Sequence, residues 1–190
     1  MKLIIASNNA HKIYEIKKIL SGKFDEILSL KEANVHHETV EDGSTFMENS
    51  LKKAREISEI TGCAALADDS GICVDALGGA PGIYSARFCG RHGDDEANNR
   101  LLVEKLRDVD QRSAHYACAV SLVFPDGKEF HAEGFLHGEI VDEPRGNGGF
   151  GYDPYFYLPA YGCTAAELPS EEKNKISHRA EALKKLLNLL

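Results

Sequence analysis

No C-x-x-C pair, no H-x-x-x-H spacing, no G-K-[ST] phosphate loop and no long apolar run occurs in this sequence. Each absence removes a class. Without paired cysteine or histidine ligands, structural zinc has no ligand set. Cys63, Cys73, Cys89, Cys118 and Cys163 are odd in number and scattered, as reduced packing residues are. Without an apolar stretch of about 18 residues there is no helical membrane span. The segment from Met1 to Ser7 is too short for the apolar core of a secretion signal and reads as a strand, so a cytoplasmic location is expected. Basic residues are also in deficit, with 22 Lys and Arg against 30 Asp and Glu and a formal net charge of −8. A general nucleic-acid surface, which rests on clustered basic side chains, is therefore not expected. A small anionic ligand would need a local cluster of lysines and arginines, or a divalent metal, against that field.

What is present is an ordinary globular balance, 43% hydrophobic and 27% charged over 190 residues. One large domain, or two intimate lobes sharing a core, accommodates that length. Lys2 to Ala6 reads as a strand, Ser7-Asn8-Asn9 as a polar turn, and Ile13, Ile16 and Ile19-Leu20 as the apolar face of a helix. Thr45 with Glu48 fits a capping box, opening a helix that carries Phe46, Ser50, Ala54 and Ile57 on one face, Asn49 and Lys53 on another, and Gly62 as its stop. Cys63 to Ala67 reads as a buried strand that breaks at Asp68-Asp69-Ser70-Gly71 and resumes from Ile72 to Val74. A helix is expected from Asp94 to about Arg107. Strict alternation through Tyr116, Cys118, Val120, Leu122 and Phe124, a turn at Pro125-Asp126-Gly127 and renewed alternation from Phe130 predict an antiparallel hairpin. Ile176, Ala180, Leu183 and Leu187 predict one amphipathic helix behind a Ser170 cap. Helices and strands alternate first and a hairpin follows, so the fold class is α/β with a mixed sheet.

The chemistry concentrates in a few places. Asp68 and Asp69 end an apolar strand, where two carboxylates are costly unless a cation or hydrogen-bond donors compensate them. In extended backbone they face opposite ways, so one meets a ligand while the other orients the turn or a lysine. A plain Asx turn with solvated acids is the other reading. Glu38 and Glu41-Asp42 form a second acidic group that could share a metal with that pair, or could simply partner a helix dipole. Gly146-Asn147-Gly148-Gly149-Phe150-Gly151 matches G-x-G-x-x-G, but Pro154 follows too soon and no helix opens, so a dinucleotide fingerprint does not fit. A flexible loop that brings backbone near a ligand, with Phe150 or Tyr152 as a stacking platform, competes with a plain surface loop. Lys12 could join the amides of the first helix in holding phosphate. Lys173, Lys175, Ser177, His178 and Arg179 gather donors at the start of the last helix, where a solvated face is the bland alternative.

Together these pieces resemble the inosine triphosphate pyrophosphatase family. The residues that carry the resemblance are Ser7-Asn8-Asn9-Ala10-His11-Lys12 with Glu15, Glu41 to Ser50 with Lys53-Ala54, Leu66 to Gly71, Gly78 to Phe88, Gly148 to Pro154, and Glu172-Lys173 with Ile176 to Ala180. The resemblance implies an elongated mixed sheet flanked by helices, two lobes with a central cleft, usually a homodimer, and Mg²⁺ dependence. It implies hydrolysis of noncanonical purine nucleoside triphosphates, inosine and xanthosine nucleotides in ribo and deoxy form, to the monophosphate and pyrophosphate. Ser7, Asn8, Asn9, Ala10, His11 and Lys12 would form the triphosphate turn and Lys53 a second phosphate lysine. Asp69 would be proton acceptor and metal ligand, with Ser70 adjacent; Glu41 fits the family's other metal-ligand segment, and Glu38 lies close enough that the choice between them stays open. Phe150, Gly151, Tyr152 and Asp153, with Lys173, Ser177, His178 and Arg179, would form the base pocket. Tyr152 stands where some relatives carry tryptophan. A Maf-type nucleotide pyrophosphatase and a catalytically silent nucleotide-binding module are the competing readings.

Overall fold

A computed structural model describes residues 1–190. The first strand, β1 (Lys2–Ile5), is followed by α1 (Ala10–Ile19), β2 (Glu26–Ser29), α2 (Phe46–Thr61) and β3 (Ala64–Val74). Two 3₁₀ turns, Asp75–Leu77 and Gly82–Arg87, precede α3 (Asp95–Lys105). The hairpin strands β4 (Ser113–Val123) and β5 (Glu129–Ile140) come next, then a 3₁₀ turn at Asp153–Tyr155, β6 (Phe156–Leu158), β7 (Cys163–Thr164), α4 (Ser170–Ile176) and α5 (His178–Leu187). The seven strands form one sheet in the order β2-β1-β3-β4-β5-β6-β7. β1 runs parallel to β2 and β3, whereas β6 is antiparallel to β5 and β7, so the sheet is mixed. The β4–β5 link is too short for a parallel crossover. Backbone bonds from Phe124 N–H to Lys128 C=O and from Ile140 N–H to Arg112 C=O mark the two ends of the antiparallel hairpin. No helix is long and apolar enough to cross a membrane.

Local chemistry places the helices. Asn9, in extended backbone, caps α1 by accepting from the N–H groups of His11 and Lys12 at 3.0 and 3.2 Å. Thr45 caps α2 by accepting from Glu48 N–H at 3.1 Å, and Gly62 ends it in the left-handed conformation. Glu48 does not return to Thr45 but accepts from Ser44, which shifts the capping box by one residue.

The chain divides into two compact units. One comprises Met1–Asp69, Cys118–Gly134 and His178–Leu190, the other Ser70–Ala117 and Phe135–Ser177. In the first unit the period-2 alternation of β1 sends Leu3 and Ile5 into one cluster with Ile16 of α1, Leu20 at its C-cap, and Ala182, Leu183 and Leu186 of α5. Ile4 and Ala6 enter a second cluster with Ala54 and Ile57 of α2. A strand buried on both faces is what a parallel sheet covered by helices requires. Each fully buried Leu or Ile contributes roughly 1.5–3 kcal/mol. The second unit has its own core, built on Ile72, Val74, Leu102, Leu106, Tyr116, Tyr152, Phe156 and Leu158.

Two expectations are corrected. β3 is a single strand of 11 residues with no break at Asp68-Asp69. The ladder continues because both carboxylates find compensating partners, so the backbone has no need to carry them to water. The terminal helix is two helices, with Ser177 extended (φ −64°, ψ 153°) at their junction and no side-chain cap from Ser170, since Pro169 holds the cap position.

Candidate active site

Alternation along β3 sets up the first constellation. Ala64 and Leu66 face the α1–α5 cluster, and Asp68 follows them; Ala65 and Ala67 face the α2 cluster, and Asp69 follows those. The two acids therefore point to opposite faces, as the extended backbone dictates. Asp68 is 1% exposed, and its Oδ2 accepts from Lys12 Nζ at 3.1 Å and from Arg179 Nε and Nη2 at 3.1 and 3.0 Å. Arg179 Nη1 also donates to Glu15. Burial alone would raise the Asp68 carboxyl, but the charges of Lys12, Arg179 and Lys53 overcome it and hold the group well below the usual range. Cys118 beside it is pushed up to about 12 by burial and by the Asp68 charge, so it is an inert packing thiol.

Asp69 behaves in the opposite way. Its carboxyl is raised above the usual aspartate range by burial and by the nearby Glu41 charge, which outweigh Lys53, Lys12 and a hydrogen bond from Asn49. Lys53 Nζ lies 2.7 Å from Glu41 Oε1, and the charges of Asp69, Asp68 and Glu41 hold its amine protonated despite burial. Two adjacent carboxylates are thus driven apart in proton affinity. Asp68 is a fixed anion that holds cations, and Asp69 has the higher proton affinity of the two. Glu41, not the exposed Glu38, is the acid of its loop that reaches this group.

The remaining residues of the turn from Ser7 to Lys12 are exposed or partly so. Ser7 Oγ accepts from Asn9 N–H at 3.2 Å, while Asn8, Ala10 and His11 are exposed at the start of α1. Ser70 follows Asp69 and is partly buried.

The second constellation lies in the other unit and centres on Asp153, 2% exposed. Its Oδ2 accepts from Lys173 Nζ at 2.6 Å and Phe150 N–H at 2.8 Å, and its Oδ1 from Tyr116 OH at 3.2 Å. Lys173 Nζ stands 4.8 Å from the Phe150 ring centroid, a cation–π contact. Asp95 Oδ2 accepts from Gly151 N–H, and Asn99 Nδ2 donates to Gly151 C=O, each at 2.9 Å. Gly149 has φ +69°, and a Cβ there would lie 2.1 Å from Asp153 Oδ2, so only glycine lets the loop close on that carboxylate. The glycine-rich segment is therefore clamped, not a flexible approach.

Several placements depart from sequence reasoning. Tyr152 is 5% exposed within the second unit's core and donates to Ser85 C=O at 2.8 Å, so it is a packing residue and only Phe150 offers a ring face. Burial also raises the Tyr152 phenol. Arg179 sits in the Asp68 and Glu15 cluster instead of beside Asp153 and Lys173. Lys173, Ser177, His178 and Arg179 are all buried, which rules out the solvated face; only Lys175 is exposed. Sequence reasoning missed Tyr116, Asp95 and Asn99, which brace the loop from distant segments and carry no local signal. It noted Asn49 beside Lys53 on α2 without assigning a role.

No set of three or more His, Cys, Asp or Glu side chains gathers to hold a metal unaided. Glu41 and Asp69 supply two hard carboxylates, the usual protein share for Mg²⁺, whose other ligands are water and substrate phosphate. The donor set therefore fits a divalent cation that arrives with a polyphosphate.

The sequence pattern of the Ham1 family matches residues 3–189. A dITP/XTP pyrophosphatase of Geobacter sulfurreducens is 50% identical over 184 residues, 96% of this chain and 92% of that protein. The Staphylococcus aureus Ham1 protein structure superposes with a TM-score of 0.89 at 39% identity, covering 100% of this chain and 97% of that one. A nucleoside-triphosphatase and dITP/XTP pyrophosphatase structure from Mycobacterium abscessus gives a TM-score of 0.79 at 45% identity, covering 98% and 99%. Fold, the collinear motifs and nearly full-length identity converge, and the chain belongs to the Ham1 family.

Proposed function

We propose that this protein is a pyrophosphohydrolase of noncanonical purine nucleoside triphosphates, dITP, ITP, dXTP and XTP, that clears them from the nucleotide pool. It acts in the cytoplasm as a Mg²⁺-dependent homodimer. The observation that carries the reading is the opposed pair on β3, with Asp68 holding Lys12 and Arg179 while Asp69 stands beside Lys53 and Glu41. The names of the relatives support the substrate class.

Water attacks the α-phosphorus, a new P–O bond forms, the α–β anhydride bond breaks, and its electron pair leaves with pyrophosphate. Asp69 takes the proton of that water, a role its raised proton affinity suits. Lys12 and Lys53 meet the charge of the departing pyrophosphate, so electrostatics and positioning supply most of the rate. Glu41 and Asp69 would hold the Mg²⁺ ion, which would supply charge neutralisation and make water a stronger acid in the site. Hydrolysis in ¹⁸O-labelled water tests the bond broken. The label should enter the monophosphate and not pyrophosphate, and label in pyrophosphate or release of inorganic phosphate would overturn the step.

Base choice follows from the six-position, where hypoxanthine and xanthine carry a carbonyl and adenine an amino group. Phe150 supplies the stacking face and Lys173 the donor beside it. An adenine amino group would bring donor against donor. Replacing Lys173 by Met should lower the dITP to dATP ratio of kcat/KM by about tenfold or more. An unchanged ratio would remove Lys173 from base recognition.

A further inference from the structure

The Glu41 loop and Asp69 belong to separate segments, and one side chain joins them. Asn49, on the first turns of α2, is 1% exposed. Its Oδ1 accepts from Gly43 N–H at 2.8 Å, and its Nδ2 donates to Asp69 Oδ2 at 3.0 Å. The amide orientation follows from chemistry, because Gly43 N–H can only donate and a carboxylate oxygen can only accept. Contact with the loop is close, since a Cβ on Gly43 would lie 2.7 Å from Asn49 Oδ1 and 2.9 Å from Glu48 Cβ. One helical turn further, Lys53 projects from the same helix to Glu41 Oε1 at 2.7 Å. A single rigid helix face thus grips both candidate metal carboxylates, Asp69 through an amide and Glu41 through an ammonium.

We infer that Asn49 is a positioning residue that fixes Asp69 and the Glu41 loop in the geometry needed to take a divalent cation. The inference rests on the metal reading of the proposed function. Asn49 bonds Asp69 Oδ2 and ties that carboxylate to the backbone two residues past Glu41. Serine and alanine cannot span Gly43 and Asp69, and aspartate has no amide donor for Asp69. Loss of such an outer partner typically weakens metal affinity by about 10–100-fold.

The experiment compares wild type, Asn49→Ala and Ser50→Ala. Ser50 is its helical neighbour, fully buried and bonded to Ser121 Oγ at 2.6 Å, so it controls for loss of a buried polar contact. Mn²⁺ binding is titrated by electron paramagnetic resonance with the α,β-methylene analogue of dITP, in which the scissile bond is absent, after circular dichroism confirms folding. Asn49→Ala should weaken Mn²⁺ binding by about tenfold or more. At saturating Mg²⁺ its KM for dITP should stay within about threefold of wild type, because the phosphate lysines and base pocket are untouched. Ser50→Ala should bind Mn²⁺ as wild type does. If Asn49→Ala does not fold, Asn49→Ser carries the same expectation. Wild-type Mn²⁺ affinity in the Asn49 variant, or an equal loss in Ser50→Ala, would overturn the inference and leave the proposed function standing. Full wild-type turnover of dITP in a chelator would overturn the metal reading and the inference with it.

Discussion

Replacing Asp69 by Asn is expected to lower turnover of dITP by about 10³-fold or more while the fold is retained. The change is isosteric, and an amide oxygen still accepts from Asn49 Nδ2. What is lost is the proposed proton acceptor and the negative charge. The folded-state carboxyl of Asp69 is raised, so the native protein holds that proton to higher pH than the unfolded chain does. By linkage, ionisation of Asp69 opposes folding as pH rises through that interval. Asp69→Asn removes the penalty, so in a chelator at neutral pH its melting temperature should equal or exceed that of wild type. Activity of wild type should fall on the acid side as Asp69 takes up its proton. A variant that retains much of the wild-type kcat would remove Asp69 from the chemistry.

The largest stability effect is expected at Arg179. Its guanidinium is 1% exposed and bridges Asp68 and Glu15, both buried. Arg179→Met keeps much of the volume but leaves two carboxylates short of a cation, a loss of about 3–5 kcal/mol. At about 2–4 °C per kcal/mol for a chain of this size, the melting temperature should drop by roughly 10 °C. The sign of the pH dependence is fixed by Asp68, whose carboxyl is held low once its cations outweigh burial. Its contribution is present above the ordinary aspartate range and is lost as pH falls toward the folded value. The gap between wild type and Arg179→Met should therefore be widest near neutrality and narrow in acid. A variant with unchanged melting temperature but altered base preference would instead return Arg179 to the base pocket.

What the sequence made legible was mostly local. Cap residues, the Gly62 stop, the hairpin alternation and the opposed faces of Asp68 and Asp69 all follow from periods of 3.6 and 2 and from backbone hydrogen bonding. Membership of the family was legible through collinear motifs. What escaped was decided by partners far along the chain. Nothing near Asp68 announces that Arg179 will meet it, so an uninterrupted strand through two acids read as a break. The extended Ser177 divides a periodic helix and places Lys173 on Asp153 and Arg179 on Asp68. Tyr152 reads as an exposed aromatic in a glycine loop, yet the second core takes its ring and Ser85 its hydroxyl. The short strands β2, β6 and β7 exist because neighbours supply their ladders, and their own residues are weakly patterned.

The central claim is the reaction and its base selectivity. It is tested most directly by pyrophosphate release with Mg²⁺ from dITP, ITP, XTP, dATP, GTP and dTTP, with Asp69→Asn as the control. The account predicts strong turnover confined to the inosine and xanthosine nucleotides and lost in the control. Preferred turnover of dTTP would contradict it in favour of a Maf-like pyrophosphatase, and binding of dITP without pyrophosphate release would contradict it in favour of a silent nucleotide-binding module.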